Sequence, residues 1–187
     1  MRKGRPNDPQ RRARILQATI DLIASEGVHA TSYRAVAARA GVPLGSVTYY
    51  FADLETLIVS AFETLGDGLE PLYTAPLRAA RDADEAVEVL VAATCGATSP
   101  SRDDIRLFTE IYHYAARNPR VADLVRRFQE EALVALRQRF SDPAARAVDA
   151  LMWGWWTYRS FHDAPLDEDM VRRTHRSITD EFQEETP

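Results

Sequence analysis

Apolar residues recur at helical spacing along the whole chain. In the first predicted helix, Ile15, Leu22 and Ile23 fall on one face, as the 3.6-residue period of an α-helix requires. No stretch shows the sustained apolar alternation of a β-strand, and no Asn-Gly or Asp-Gly pair joins two β-branched runs. The pattern therefore predicts an all-α fold of about nine helices.

Glycine, proline and capping residues set the boundaries of these predicted helices. Gly27 is expected to end the first helix and Gly41 the second, both as left-handed caps. Thr31 is expected to cap the second helix, and Pro76 falls where prolines interrupt the pattern after the fourth. The predicted helices span residues 9–25, 31–40, 43–51, 53–73, 84–97, 101–117, 119–140, 143–162 and 167–184.

The composition is that of a globular protein with an apolar core. The chain has 187 residues, of which 45% are hydrophobic and 27% charged, and it has no apolar run long enough for a membrane span or a secretory signal. Cys95 is the single cysteine, which excludes an internal disulfide and a multi-thiolate metal site. We therefore expect a cytoplasmic protein that uses no membrane, metal or cofactor.

Positive charge is concentrated at the start of the chain. Residues 1–52 hold eight basic and three acidic side chains, whereas residues 53–187 hold fifteen basic and twenty-five acidic ones. This asymmetry favours contact between the first segment and a polyanion. The basic residues 1–6, MRKGRP, would then lie along a DNA backbone or in a minor groove. A solvated charge cluster at the terminus explains the asymmetry equally well.

The second and third predicted helices, joined by a tight turn at Gly41, form a helix-turn-helix motif. Val47 and Phe51 fall at spacings that turn them toward the first two helices. The other positions of the third helix face outward, and several hold residues that are poor helix formers or costly to bury. These outward positions are Leu44, Gly45, Ser46, Thr48 and Tyr49.

This outward face has the chemistry of a DNA-binding surface. The missing side chain of Gly45 lets the helix backbone approach DNA closely, and the hydroxyls of Ser46 and Tyr49 suit phosphate oxygens. The methyl groups of Leu44 and Thr48 suit thymine, and Thr48 can also hydrogen-bond a base edge.

The start of the second helix adds a predicted phosphate site. Free backbone N–H groups at Thr31, Ser32 and Tyr33 would form an anion-binding helix end. Arg34 and Arg39 would supply positive charge beside it.

Residues 14–57 carry several motifs that together resemble the DNA-binding domain of the TetR (tetracycline repressor) family of bacterial regulators. Two positions depart from the family pattern. Thr48 stands where the family often has the first Tyr of Tyr-Tyr-His-Phe, and Leu54 stands where it often has a phosphate-binding Lys. The matching residues are Ile15-Leu16, Ala18, Leu22, Gly27, Thr31-Ser32, Val36-Ala37, Ala40-Gly41-Val42, Gly45-Ser46, Tyr49, Phe51, Glu55 and Leu57.

The resemblance implies a homodimeric regulator with two domains. Residues 1–52 would form the N-terminal arm and the DNA-binding domain, and residues 53–187 a helical domain for ligand binding and dimerisation. The fourth helix, residues 53–73, would connect the two and carry the ligand signal. The implied function is a transcriptional regulator, most simply a repressor that a small molecule releases from a two-fold symmetric DNA operator.

Two other classes of function compete with this one. A helical ligand-sensing module that has lost DNA binding is the alternative that Leu54 suggests, because a phosphate contact is missing there. An enzyme is not favoured, since no His pair has metal-ligand spacing and Ser101 lacks the sequence context of a nucleophile.

The C-terminal region contains residues that suit a mostly apolar ligand cavity. Ordinary core packing explains each of them individually as well. Tyr112, His113 or Arg106 would provide polar anchors for a ligand. The candidate lining residues are Cys95, Phe108, Tyr112, Leu124, Phe128, Trp153 and Trp156.

An unusually aromatic helix predicts the dimer surface. The stretch 151–162, LMWGWWTYRSFH, holds three tryptophans, which one small domain cannot all bury. With the last helix, whose Met170, Ile178 and Phe182 are expected to face inward, it fits a four-helix interface between two subunits. The candidate interface residues are Trp155, Tyr158, Arg159, His162, Ile178 and Phe182.

Overall fold

Ten α-helices and one 3-10 turn make up the regular structure of the computed structural model, which describes residues 10–67, 74–96 and 98–182. No β-strand occurs in these ranges, so the all-α prediction is confirmed. The chain divides into two units, residues 1–65 and 66–187. No helix in the described ranges has both the length and the apolar character needed to span a bilayer.

The first unit is built on an amphipathic helix. In α1 (Arg11–Glu26), Ile15, Leu22 and Ile23 are buried, as their common face predicts. This helix packs against α2 (Tyr33–Ala40), which in turn packs against α3 (Leu44–Tyr50). The 3-10 turn Val28–Ala30 joins α1 to α2, and α4 (Leu54–Asp67) follows α3.

The turn between α2 and α3 depends on Gly41. This residue has a φ of 63° and lies in the left-handed region, where glycine carries no Cβ penalty. The N–H of Val42 donates to the carbonyl oxygen of Ala37 at 3.0 Å, which satisfies a carbonyl at the end of α2. The sharp turn fixes the direction in which α3 leaves α2.

The second unit contains α5 (Ala75–Ala79), α6 (Ala83–Cys95), α7 (Arg102–Ala115), α8 (Pro119–Leu136), α9 (Asp142–Phe161) and α10 (Glu168–Glu181). Helices α6 to α10 all begin after a residue whose side chain accepts a hydrogen bond from a backbone N–H in the first turn, an arrangement that stabilises helix starts. These capping residues are Asp82, Ser101, Asn118, Ser141 and Asp167.

The core of the second unit lies among α6, α8, α9 and α10. Leu90, Leu136, Val148 and Val171 are all fully buried there. Helix α10 packs against α6 and α9, and α7 packs against α8 and α9. On one side, the side chains of α9 are therefore surrounded by α7 and α8.

Several predicted boundaries are wrong. The short α5 was missed because five residues are too few to show a helical period. Pro76 lies in the first turn of this helix, where proline is tolerated, rather than breaking a helix. Ser32, not Thr31, caps α2. Met170 on α10 is exposed, because the buried positions of that helix are Val171, His175 and Thr179. The expected end of the fourth helix at residue 73 lies outside the described residues.

Candidate nucleic-acid and small-molecule sites

Helix α3 divides into a buried face and an exposed face. Val47 is completely buried, and Phe51 at the end of the helix is 1% exposed. On the other side, Leu44 is 43% and Tyr49 77% exposed. Gly45 and Thr48 are also exposed, and Ser46 is half-buried.

A cleft of about 270 Å³ lies beside this exposed face. Arg11 lines it from the first turn of α1, and the other lining residues are Pro43, Gly45, Ser46, Tyr49 and Tyr50. Arg11 makes no ion pair within the described residues, so its charge is not neutralised there. The sequence did not single out Arg11, Pro43 or Tyr50 as site residues. No local pattern links Arg11 to a helix that begins more than thirty residues later.

Gly45 has open space where a side chain would be. A Cβ built at this position has no neighbouring atom within 4 Å. Thr48 Oγ1 donates to the carbonyl oxygen of Gly45 at 3.4 Å, a long and weak interaction that leaves the hydroxyl able to bond elsewhere. The rings of Tyr49 and Tyr50 meet edge to face, with centroids 5.2 Å apart.

The start of α2 differs from its prediction at Thr31. The Thr31 N–H donates to the carbonyl oxygen of Val28 at 3.0 Å, so it is not free to bind an anion. Its side chain is buried as well, and Oγ1 has no partner among the described residues. Both features follow from the 3-10 turn, which uses the N–H and directs the side chain inward. Ser32 is exposed, and its hydroxyl oxygen accepts a hydrogen bond from the N–H of Ala35.

The side chain of Tyr33 is engaged within the first unit. Its hydroxyl donates to the carbonyl oxygen of Phe51 at 3.1 Å. Burial, followed by the negative charge of Asp53, raises the pKa of Tyr33 above its ordinary value. Tyr33 therefore joins the start of α2 to the end of α3.

The basic residues near these helices have different surroundings. Arg34 is exposed and makes no ion pair within the described residues. Arg39 instead pairs with Glu26 at 3.0 Å. This ion pair offsets the positive charge that Arg39 was expected to supply beside the start of α2. The guanidinium of Arg12 lies 5.4 Å from the ring centroid of Phe51. The arm, residues 1–6, lies outside the described residues.

In the second unit, four of the proposed ligand-lining residues form one aromatic cluster, called here the ring cluster. The ring centroid of Trp153 lies 5.5 Å from that of Phe108 and 5.1 Å from those of Tyr112 and Trp156, all in edge-to-face geometry. Trp156 is buried, and its Nε1–H donates to the carbonyl oxygen of Ala93 at 2.9 Å. Phe108, Tyr112, Trp153 and Trp156 thus form a continuous apolar wall.

Tyr112 provides a polar atom in this wall. Its hydroxyl oxygen accepts a hydrogen bond from Gln129 Nε2 at 3.4 Å. Burial raises the pKa of Tyr112 to about 12. The other two predicted polar anchors, Arg106 and His113, are exposed on α7.

The remaining lining candidates are Leu124, Cys95 and Phe128. Leu124 is part of the buried core. Cys95 is half-buried, its Sγ contacts the carbonyl oxygen of Val91 at 3.4 Å, and burial raises the pKa of its thiol. The ring of Phe128 lies against Gly66, where a Cβ would overlap it.

Asp149 is a residue near the ring cluster that the sequence did not single out. It is half-buried on α9, four residues before Trp153, and burial raises its pKa to about 6. Its negative charge contributes to the raised pKa of Tyr112. The sequence pattern that could have indicated this residue is an acidic side chain one turn before a tryptophan, within an otherwise apolar helix segment.

The proposed dimer surface on α9 and α10 includes exposed apolar residues. Phe161 is 82% and Tyr158 46% exposed, and the Tyr158 ring stacks on His162 with centroids 3.7 Å apart. Arg159 instead donates to the carbonyl oxygen of Thr94 at 2.9 Å. Trp155, Ile178 and Phe182 are half-buried and pack against the core of their own unit.

Comparison with known proteins places the first unit in a known family. The model for "Bacterial regulatory proteins, tetR family" matches residues 15–61. This range contains α2, the Gly41 turn and α3 in full.

Solved structures extend the similarity over most of the chain. SCO7518 of Streptomyces coelicolor A3(2), described as a transcriptional regulator, is 38% identical with a TM-score of 0.81, covering 91% of this chain and 99% of that one. SCO1917, a member of the TetR family from Streptomyces coelicolor A3, is 30% identical with a TM-score of 0.78, and the match again covers 91% of this chain and 99% of that one. The multidrug binding protein EbrR, complexed with ethidium, is 32% identical with a TM-score of 0.72, covering 92% and 99%.

Proposed function

This chain belongs to the TetR family of bacterial regulatory proteins, and from that premise we propose how it acts as a DNA-binding, ligand-responsive transcriptional regulator. The first unit binds a DNA operator through α3 and the start of α2. The second unit binds a small molecule and pairs with a second copy of the chain. In this proposal the protein is a repressor, and ligand binding releases it by lowering its affinity for the operator.

The exposed face of α3 is the observation that carries the proposal. Tyr49 extends into solvent although it is aromatic, and Gly45 leaves the helix backbone uncovered. An α-helix with such a face fits the major groove of B-DNA. The unpaired charge of Arg11 in the adjoining cleft supports a phosphate contact there.

Each residue of this face has a proposed role. Thr48 and Leu44 contact base edges, since both carry methyl groups and Thr48 also carries a hydroxyl. Ser46 and Tyr49 bind phosphate oxygens, and Gly45 permits the close approach. These contacts set the position and the sequence preference of the complex.

The start of α2 provides a second phosphate contact. The N–H groups of Ser32 and Tyr33 are the proposed donors, and Arg34 adds charge. Thr31 is left out because its N–H already bonds to Val28. With Leu54 in place of a lysine, the arginines carry the backbone contacts.

A homodimer accounts for the exposed apolar residues of α9 and α10. Tyr158, Phe161 and Met170 are large and solvent-exposed in the single chain, a liability that a second copy would remove. A dimer presents two α3 helices to DNA, which requires half-sites about 34–36 Å apart and a palindromic operator.

The ring cluster is the proposed place of the small molecule. Aromatic walls with a few polar atoms are typical of ligand sites. The similar protein EbrR was solved in complex with ethidium, which supports a small-molecule site in this chain. The ligand weakens DNA binding if it binds more tightly to a conformation with low operator affinity.

Selection of duplexes from a random pool tests the function. The purified full-length chain is expected to enrich a palindromic sequence, and its affinity for that duplex should fall steeply as salt rises. No retardation of any duplex at low salt would favour the alternative, a ligand-sensing module without DNA binding.

A further inference from the structure

The carboxylate of Asp149 has no partner among the residues that the structure describes. It makes no hydrogen bond or ion pair with any residue in the described ranges, although it is half-buried. A carboxylate withdrawn from water in this way is costly unless a positive charge or several donors compensate it.

Two basic residues on α9 and α7 make contacts with other carboxylates. Arg146, three residues before Asp149 on α9, pairs with Asp142 at 2.7 Å. Arg106 on α7 is exposed and lies 3.8 Å from Asp103. Neither guanidinium supplies the charge that Asp149 lacks.

Asp149 precedes a member of the ring cluster on the same helix, α9. Asp149 and Trp153 are one helical turn apart, which places them on the same face of α9. Trp153 contacts Tyr112 and Phe108 of α7 edge to face, and the charge of Asp149 acts on the Tyr112 hydroxyl. A negative charge and several aromatic rings therefore belong to the same α7–α9 pair.

This combination has a specific chemical complement. The face of an indole or phenol ring attracts a cation, and the attraction grows when the cation is removed from water. A carboxylate beside the rings neutralises the same cation. A neutral ligand gains only the apolar contact and leaves the carboxylate unpaired.

We propose that Asp149, together with Phe108, Tyr112 and Trp153 of the ring cluster, binds a lipophilic organic cation with an aromatic ring system. This inference rests on the proposed function, in which the second unit holds the effector. To that function it adds two points: the ligand carries a positive charge, and Asp149 is the residue that recognises this charge.

A matched pair of probes tests the charge requirement. 10-Methylacridinium and acridine have nearly the same shape, but at pH 7.5 only the first is a cation. Binding of each to the full-length protein without DNA is measured by tryptophan quenching. Wild type is expected to bind the cation at least about tenfold more tightly than acridine. Equal affinities, or no binding of either probe, would overturn the proposal.

Two variants assign the selectivity to one residue. Asp149→Asn keeps the shape and removes the charge, so it should lose at least about tenfold in affinity for 10-methylacridinium and change little for acridine. Asp103→Asn removes an exposed carboxylate of the same unit and should leave both affinities unchanged. Retention of wild-type cation affinity in Asp149→Asn would contradict the assignment. If that variant does not fold, the wild-type selectivity decides the outcome alone.

Operator binding separates this inference from the proposed function. Asp149→Asn without ligand should bind the selected duplex as wild type does. A wild-type protein that binds DNA but shows no preference for the cation contradicts the inference and leaves the regulator intact. A wild-type protein that prefers the cation but binds no duplex contradicts the regulator and leaves the ligand site intact.

Discussion

The hydroxyl of Tyr33 donates a hydrogen bond to the carbonyl oxygen of Phe51, 3.1 Å away. This contact joins the first residue of α2 to the residue that directly follows α3. It gives Tyr33 a structural role within the first unit, in addition to the backbone N–H contact proposed for it.

Tyr33→Phe is therefore expected to destabilise the protein by about 1 kcal/mol, the usual contribution of one such hydrogen bond. The free energy of unfolding in denaturant measures the loss. Tyr49→Phe is the matched control, because the Tyr49 side chain is exposed and makes no hydrogen bond within the described residues. That variant should keep wild-type stability but bind every duplex more weakly. Equal stability of the two variants would contradict the role of Tyr33.

Gly45→Ala separates folding from DNA binding. Open space surrounds the added Cβ, so the variant should be as stable as wild type or up to about 1 kcal/mol more stable, since alanine favours a helix over glycine. Its affinity for the selected duplex should nevertheless fall, because the methyl group prevents close approach of the backbone. Thermal unfolding and gel retardation of the same preparation measure both effects. Unchanged affinity would show that Gly45 does not approach DNA.

Thr48→Ala tests base recognition. The variant should lose about 1–3 kcal/mol of discrimination at one base pair of each half-site and keep its preference elsewhere. Affinities for a set of duplexes with single base changes measure this profile. A uniform loss across all duplexes would assign Thr48 to the phosphate backbone instead.

Gly66→Ala tests the close approach of the Phe128 ring. In an open helix this change would stabilise, but here the new Cβ would overlap the ring. We expect a loss of about 1–3 kcal/mol in the free energy of unfolding. Phe128→Leu in the same chain should recover part of that loss, which a double-mutant cycle measures. Gly154→Ala is the control, because a Cβ there meets nothing within 4 Å. Additive effects of the two substitutions would contradict the overlap.

The buried His175 makes stability depend on pH. Burial lowers its pKa from 6.5 to about 4, so between these values the unfolded chain binds a proton that the folded chain does not. Stability should therefore fall as the pH drops from 7 to 4.5, by up to about 3 kcal/mol from this residue. His175→Gln should lack this contribution. Unfolding at fixed protein concentration across that pH range measures it, and identical pH profiles would contradict it.

Asp149 has the opposite effect on the pH dependence of stability. Its pKa is raised to about 6, so the folded chain binds a proton that the unfolded chain releases at mildly acidic pH. Wild type should gain stability relative to Asp149→Asn as the pH falls from 7 to 4.5. The two titrations partly cancel in the wild-type profile, which is why each needs its own variant.

The sequence predicted those features that depend on local spacing. The apolar face of α1 follows from Ile15, Leu22 and Ile23, and Gly41 indicates the turn before α3 because the left-handed conformation there favours glycine. The buried and exposed faces of α3 could likewise be told apart from the sequence, because the buried residues Val47 and Phe51 follow the helical period.

Features that depend on tertiary structure were not predictable in the same way. Thr31 and Ser32 are both good capping residues, and only the 3-10 turn before α2 decides between them. The place of Arg11 beside α3 requires the packing of the first unit. The environment of Asp149 depends on Tyr112 of another helix, which no spacing within α9 reveals.

Disulfide trapping of α3 on the operator tests the central claim most directly. Thr48→Cys is combined with Cys95→Ala, which removes the single natural cysteine, and is mixed with the selected duplex carrying a thiol tether on a major-groove base. Asp21→Cys, exposed on α1, is the control in the same background. The account predicts a covalent complex for residue 48 and none for residue 21. Equal trapping of both, or no trapping at residue 48 along the operator, would contradict a DNA-binding role for the exposed face of α3.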